Sequence, residues 1–311
     1  MRVITLTDRD LIRSFLLTDR FFADYALGDL DPAHFQFTEW FGAEADHELR
    51  AVVMLYNDLT PPIFFAMGEA HGIEAILDHA VKLPQIGLSI REEHLPIIEK
   101  FYRTRPVPML KMALLAEDFW PVETTSLRAR SAKQSPTAKD EIASSQALSA
   151  LRAGARMATA LFSMTRLDIS HLPQLEALYA HGGGDAFRQR SLELGVFYGV
   201  FDHERLVSVA GTHIVAEVER VAALGNVMTL PDCRGHGLAT LATSAVCEEL
   251  LDRGIELIGL SVSQSNEAAI RVYEKIGFKR RVLFYEGTAI RNHQHLHCIR
   301  SAVQVSEMES R

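Results

Sequence analysis

The sequence predicts a mixed α/β fold built as two similar halves. Three observations lead there. The chain has 311 residues, long for one domain, and 48% of them are apolar, ample for a packed core. Apolar, strand-like runs alternate with helical periodicities, and the order helix, strands, glycine-containing turn, helix, strand, helix, strand occurs twice. Between the two occurrences, from Val122 to about Asp140, the stretch TTSLRARSAKQSPTAK is polar and Ser/Thr-rich and reads as an exposed linker.

In the first half (1–120), Thr7 or Asp8 is placed to cap a helix through Phe15-Leu16-Leu17, and a second helical segment covers Phe21 to Leu27. His34–Phe41 alternates like a half-buried strand. Leu49–Tyr56 and Ile63–Met67 read as buried strands, and Gly68-Glu69-Ala70-His71-Gly72 leads into a helix over Ile73–Val81. Gln85–Ile90 is a strand, His94–Tyr102 a helix and Met109–Leu115 a strand. Residues 121–160 combine the linker with an Ala/Leu/Ser-rich helical stretch, Asp140–Ala160, which is expected to brace the halves.

The second half (161–300) opens with a short strand, Met164–Leu167. Ser170 is placed to cap a helix over Leu172–Tyr179, with Pro173 in its tolerant first turn and Gly182-Gly183-Gly184 after it. Phe187–Leu194 reads as helical or irregular. Val196–Phe201, Leu206–Val215 and Val218–Thr229 read as strands, followed by a glycine turn and a helix to Arg253. A strand from Ile255 to Ser263, a helix from Asn266 to Gly277, and two closing strands, Arg281–Tyr285 and Thr288–Arg291, complete it. Residues 301–311 form a polar, loose tail.

Charge and composition exclude several function classes. With 32 Lys and Arg against 40 Asp and Glu, the net charge is −8, which disfavours a nucleic-acid or anionic-membrane surface. Cys233, Cys247 and Cys298 lie far apart, without CxxC spacing, as in a reducing cytoplasm. The charged N-terminal turns are no signal peptide, and no run approaches the roughly 18 apolar residues of a membrane helix. His293, His295, His297 and Cys298 alternate as on one strand face, and no acidic partner supports a metal there. No metal is expected.

The chemistry concentrates in Val221–Phe278. Gly235 and Gly237 remove side chains where the chain bends, just before a helix whose first N–H groups are unpaired. Such a turn is an anion site, and Arg234 adds positive charge at its mouth. A phosphate-loop NTPase needs GxxxxGK[ST], and no Lys-Ser/Thr follows Gly237. A dinucleotide fingerprint needs a third glycine where Thr240 stands, and its ribose-binding acid would be Glu256, at the wrong end of the next strand.

Arg234-Gly235-His236-Gly237-Leu238-Ala239 resembles the R-x-x-G-x-A turn of the GNAT acyltransferase superfamily. Asn266-Glu-Ala-Ala-Ile-Arg-Val-Tyr273-Glu-Lys-Ile-Gly277-Phe278 resembles that family's second signature, N-x-x-A-x-x-x-Y-x-x-x-G-F. Two such matches at this separation carry more than either alone, and the resemblance covers roughly Phe162 to Arg291. It implies the acyl-CoA N-acyltransferase (GNAT) fold, an α/β fold with a mixed sheet, in two GNAT-like halves similar to those of glycine N-acyltransferase-like proteins.

The resemblance also implies partners and roles. Acetyl-CoA would be the co-substrate, held between two splayed strands, with a primary amine of a small molecule or peptide as acceptor. The pantetheine arm would pair near Val227, Met228 and Thr229. The pyrophosphate would rest on Arg234, Gly235, His236, Gly237, Leu238, Ala239 and Thr240, with Asn266 on the cofactor arm. Tyr273 matches the general acid that protonates the departing thiolate. Many GNAT enzymes carry a glutamate base on the strand before the turn; here that strand reads Ala-Leu-Gly-Asn226-Val, and Asn226 takes no proton at neutral pH. His213 is the leading candidate base, with Glu217, Glu219 or water as alternatives. In the first half, Glu69 stands where Arg234 stands and Glu74 lies in the first helical turn; both repel a pyrophosphate. That half is expected to keep the fold without the cofactor. The expected activity is cytoplasmic N-acetylation by direct transfer; the alternative is a non-catalytic acyl-CoA-binding sensor of the same fold.

Overall fold

The computed structural model describes residues 1–122, 162–184 and 187–292. The expected linker and bracing helix, the His293–Cys298 face and the loose tail lie outside the described residues. The chain divides into two compact units. The first comprises Met1–Ala113, Ser261–Asn266 and the chain from Arg280; the second comprises Leu114–Leu260 and Glu267–Lys279.

Unit 1 begins with β1 (Arg2–Thr5) and α1 (Arg9–Leu16), whose N-terminus is capped by Asp8 through bonds from the Asp10 and Leu11 N–H groups. The short helices α2 (Asp24–Gly28) and α3 (Pro32–Phe35) follow, then β2 (Thr38–Ala45), β3 (Glu48–Tyr56), β4 (Ile63–Gly68), α4 (Ala70–His79), β5 (Gln85–Ile90), α5 (Leu95–Phe101) and β6 (Tyr102–Leu115). The strand expected over His34–Phe41 is thus a helix end and a strand start. Asp31 accepts from the Ala33 N–H at 2.9 Å and Pro32 occupies the first turn, so local capping overrides the alternation. β6 is longer than the expected Met109–Leu115, because its exposed first part carries Pro106 and Pro108 and lacks an apolar face.

Within unit 1 the strand order is β1-β2-β3-β4-β5-β12-β6. β12 (Lys279–Arg291) is the last strand of the described chain, and it pairs antiparallel with β5 from Tyr285–Ile90 to Ile290–Gln85. Two closing strands belonging to the second half were expected; one continuous strand is found, and from Arg280 it belongs to unit 1. Gly287 does not break it. A β-carbon there would stand 2.2 Å from the Arg105 carbonyl oxygen, so the glycine serves close backbone approach. α4 packs on β2 and β3, with Gly72 against Ala51, and Val53, Phe64, Ile73, Ile76, Ile86 and Ile98 fill the core without exposure.

Unit 2 holds β7 (Phe162–Arg166), α6 (Leu172–Tyr179), α7 (Gln189–Leu194), β8 (Tyr198–Asp202), β9 (Arg205–Ala216), β10 (Val221–Thr229), α8 (Leu238–Asp252), the start of β11 (Leu257–Ser263) and α9 (Glu267–Ile276). Its strands run in the order β11-β10-β9-β8-β7, antiparallel except for β10 with β11. Ser170 is not the cap of α6. It sits in a short 3-10 turn whose cap is Asp168, which accepts from the Ser170 N–H at 2.9 Å. α8 is apolar nearly all round and is buried from Leu241 to Cys247. No helix among the described residues is long and apolar enough to cross a membrane.

Candidate functional site

The site is built on β10. Its parallel pairing with β11 runs from Val221 opposite Leu257 to Ala223 opposite Gly259. β10 then continues to Thr229 with β9 as its neighbour on the other side. Among the described residues, Gly225–Thr229 have no strand partner on the β11 side. This open edge can accept an extended ligand as an added strand.

The edge is also kinked. Gly225 lies opposite Gly211 and Met228 opposite Val209, so Asn226 and Val227 together face one residue of β9. Asn226 adopts φ 53°, in the left-handed region that asparagine tolerates. A second irregularity lies between Ala223 and Leu224, where β9 carries His213 as its extra residue.

After β10 the chain enters the glycine turn. Gly235 and Gly237 have φ of 81° and 80°, which other residues rarely adopt. A β-carbon on Gly235 would meet nothing within 4 Å, so the turn is open on that side. Gly237 is the N-cap of α8 and supplies no side chain to its N–H groups. The uncapped helix start and exposed turn suit a phosphate in donor geometry and in space. Arg234 Nε donates to the Thr229 carbonyl at 3.2 Å, which ties the turn to the strand end.

Residues 165–278 match the family described as acetyltransferase (GNAT) family. They form a GNAT domain. Over 86 residues, 27% of this chain, the sequence is 33% identical to mycothiol acetyltransferase of Rhodococcus jostii. Over 80 residues it is 33% identical to ribosomal protein bS18-alanine N-acetyltransferase of Salmonella typhimurium. These matches span 28% and 52% of the two relatives, less than two thirds of either. A solved tandem GNAT protein from the clavulanic acid biosynthesis pathway is 11% identical, with a TM-score of 0.52, and the match covers 93% of this chain and 98% of that one. The GNAT fold therefore occurs in both halves, as a mixed α/β sheet with helices.

Within the GNAT domain the expected cofactor residues divide by what the protein already uses. Val227, in the bulge, is half-buried. The Met228 carbonyl accepts from Ser208 Oγ at 3.1 Å, and Thr229 Oγ1 lies 2.7 Å from that Ser208 Oγ. Leu238 is core, so only its N–H faces the turn, and Thr240 is 7% exposed. His236 is exposed, its Nδ1 3.2 Å from the Cys233 carbonyl oxygen. Ala239 lies in the first turn of α8. Asn266 is exposed, belongs to unit 1, and donates its backbone N–H to the Ser263 carbonyl at 2.9 Å.

Tyr273 lies on α9, 7% exposed, with its ring 5.8 Å from that of Phe278. Burial, followed by the neighbouring Cys247, pushes its phenol up to about 12, so it is protonated at neutral pH. The signature glycine has a packing reason. A β-carbon on Gly277 would stand 1.8 Å from the Asp118 carbonyl oxygen, and Lys279 Nζ lies 2.6 Å from the Asp118 carboxylate. Cys233 is held up by burial and then by Asp232, which disfavours a thiolate nucleophile at the turn.

Of the candidate bases, Glu217 and Glu219 are corrected by position. They lie in the hairpin before β10, at the end opposite Thr229 and roughly 25 Å along the strand at about 3.3 Å per residue. His213 does lie at the bulge. Asn226 Nδ2 stands 3.3 Å from the Thr212 carbonyl oxygen and 3.4 Å from His213 Nδ1. The Thr212 carbonyl assigns the amide orientation, which leaves Nδ1 as acceptor and the proton of the neutral ring on Nε2. Sequence reasoning missed Tyr179, whose hydroxyl donates to the Asn226 carbonyl at 2.8 Å. No local motif marks it.

The corresponding turn of unit 1 is closed. Gly72, which stands where Gly237 stands, packs against β3: a β-carbon there would lie 2.6 Å from the Ala51 side chain. Glu69 lies 3.8 Å from Arg50, and Glu74 pairs with Lys100 at 2.7 Å. Among the described residues no group of three or more His, Cys, Asp or Glu is placed to hold a metal.

Proposed function

We propose that this protein transfers an acetyl (acyl) group from acetyl-CoA directly to a primary amine of a small molecule or peptide. The observation that carries this reading is the coincidence of the open β10 edge beyond Ala223 with the uncapped, exposed glycine turn before α8. One holds an extended arm and the other a pyrophosphate. The GNAT match and the acetyltransferase relatives support it at the level of reaction class.

In the proposed reaction the neutral amine nitrogen attacks the thioester carbonyl carbon, a C–N bond forms and the C–S bond breaks. Tyr273 gives its phenolic proton to the sulfur and is reprotonated from solvent. The amine loses its proton to water. His213, with its proton on Nε2, acts in this reading as an orienting donor rather than as the base. Placement of the two reactants supplies the rest of the acceleration. Unit 1 is proposed to have lost cofactor binding, since its turn is filled by protein and flanked by Glu69 and Glu74. The proposed site of action is the cytoplasm.

The absence of a carboxylate at Asn226 favours a second reading, an acyl-CoA-binding sensor without turnover. Release of CoA from acetyl-CoA across a panel of amines separates the two. Wild-type turnover that falls by about a hundredfold or more in Tyr273→Phe, with acetyl-CoA affinity nearly unchanged, supports the enzyme. Tight binding with no turnover on any amine supports the sensor.

A further inference from the structure

Tyr273 sits in the last turn of α9, and that helix end is closed by a Schellman cap. The Phe278 N–H bonds the Tyr273 carbonyl at 3.1 Å, and the Gly277 N–H bonds the Glu274 carbonyl at 3.2 Å. Gly277 has φ 113°, the left-handed region that such a cap requires. The contact of the Tyr273 and Phe278 rings is the apolar pair that accompanies it. The backbone of Tyr273 is therefore itself a member of the cap.

The cap is completed from outside the helix. Ile276 ends α9, so no later helical turn offers its carbonyl a donor, and the Trp120 N–H fills that place at 2.8 Å. The Trp120 side chain is 71% exposed, so the backbone makes this contact. The Asp118 carbonyl packs directly on Gly277, and the Asp118 carboxylate holds Lys279 Nζ at 2.6 Å. The Val122 N–H donates to Ser244 Oγ at 2.9 Å, and Ser244 is buried on α8. The segment Ala116–Val122 thus straps the end of α9 to α8. It follows β6 directly in the chain, yet it belongs to unit 2.

We infer that the Ala116–Val122 strap positions Tyr273 for proton transfer, with the Trp120 N–H as its positioning contact. The inference rests on Tyr273 as the acid of the acetyltransferase reading above, and names what holds that acid in place. A proton donor acts only within hydrogen-bond reach of the atom it serves, and a misplacement of about 1 Å costs up to about a hundredfold. A helix end that frays carries the Tyr273 backbone with it. The glycine turn precedes α8, roughly two turns before Ser244, so cofactor binding is separable from the strap.

The test is a double-mutant cycle in the full chain, with kcat, acetyl-CoA affinity by calorimetry and a thermal melt for each variant. Trp120→Pro removes the N–H. Phe119 before it already has φ −72° and ψ 127°, the extended conformation that a residue before proline adopts. Trp120→Ala keeps the N–H and is the control. Trp120→Pro is expected to lower kcat by about three- to tenfold, with acetyl-CoA affinity within about twofold of wild type. Trp120→Ala is expected to stay within about twofold on both. In a Tyr273→Phe background, Trp120→Pro is expected to cost nothing further, because the proton it serves is gone. An unchanged kcat in Trp120→Pro, the same loss in Trp120→Ala, or an equal loss in both backgrounds overturns the inference. If Trp120→Pro fails to fold, Asp118→Asn, which releases Lys279 and keeps the backbone, is read in the same cycle. A loss of about two- to threefold confined to the Tyr273 background then supports the strap, and no loss or equal losses overturn it. A wild-type protein that binds acetyl-CoA but acetylates no amine removes the enzyme reading, and this inference with it.

Discussion

The imidazole of His213 lies across Gly225: a β-carbon at position 225 would stand 1.9 Å from the ring Nε2. Gly225 therefore makes room for the one histidine at the bulge, while Asn226 faces the other ring nitrogen at 3.4 Å. A neutral ring held this way donates from Nε2. His213→Gln, which keeps a side-chain N–H donor, is expected to reduce turnover by less than about tenfold. The loss of a general base would cost about a hundredfold or more. The check is a pH–rate profile of wild type and variant with one amine. An acidic limb near the unperturbed histidine value of about 6.5, present only in the wild type, would falsify the donor assignment and restore His213 as the base.

Gly237 separates stability from binding. Its φ of 80° is one that aspartate tolerates, and the turn is exposed. Gly237→Asp is expected to leave unit 2 folded, with a cost of about 1 kcal/mol or less, because aspartate beside a helix N-terminus also gains from the helix dipole. The same carboxylate faces a bound pyrophosphate, so CoA affinity should fall by about a hundredfold or more, a loss of roughly 3 kcal/mol. Calorimetric titration with CoA, paired with a thermal melt, reads both effects. Retained affinity means that the phosphates bind elsewhere.

Unit 1 carries a buried charge cluster that the proposed acyl-CoA chemistry does not use. Lys111 Nζ bonds Asp24 at 2.6 Å, both nearly inaccessible, and lies over the Tyr25 ring at 3.8 Å. Asp29 is 4% exposed and its Oδ1 has no partner. Burial pushes Asp29 up to about 8; Lys111 opposes the shift and Asp24 adds to it. The folded state then holds a proton that the unfolded chain releases near 3.8. Stability from this group is complete below about pH 4 and is lost as pH rises through about 8. Asp29→Asn is expected to raise the denaturant midpoint at pH 8 and to leave it little changed at pH 4. A midpoint difference independent of pH would count against the assignment.

Much of this architecture is legible in the chain itself. Gln85–Ile90 and Leu172–Tyr179 are the expected elements at the expected residues, because apolar period and a first-turn proline act over a few neighbours. The misses have local and distant causes. Pro32 and Asp31 turned an alternating run into a helix end, whereas Gly287 kept a strand whole because a distant carbonyl, that of Arg105, packs against it. Sequence likewise could not distinguish a packing glycine from an open one. Gly68 ends a strand and Gly235 follows one, each before a helix, yet one abuts the Arg50 carbonyl and the other faces open space.

By itself the sequence determined the mixed α/β class, the tandem order of elements, the glycine turn from Arg234 to Thr240 and the tyrosine signature, since each depends on residues close in the chain. The tertiary structure decided where the pairing of β10 and β11 ends, how the Asn226 bulge is formed, and that Tyr179, 47 residues earlier, holds its carbonyl. It also placed the last strand in unit 1. Register, bulges and hydrogen bonds between remote elements arise from how whole strands pack, and no local pattern of residue types encodes them.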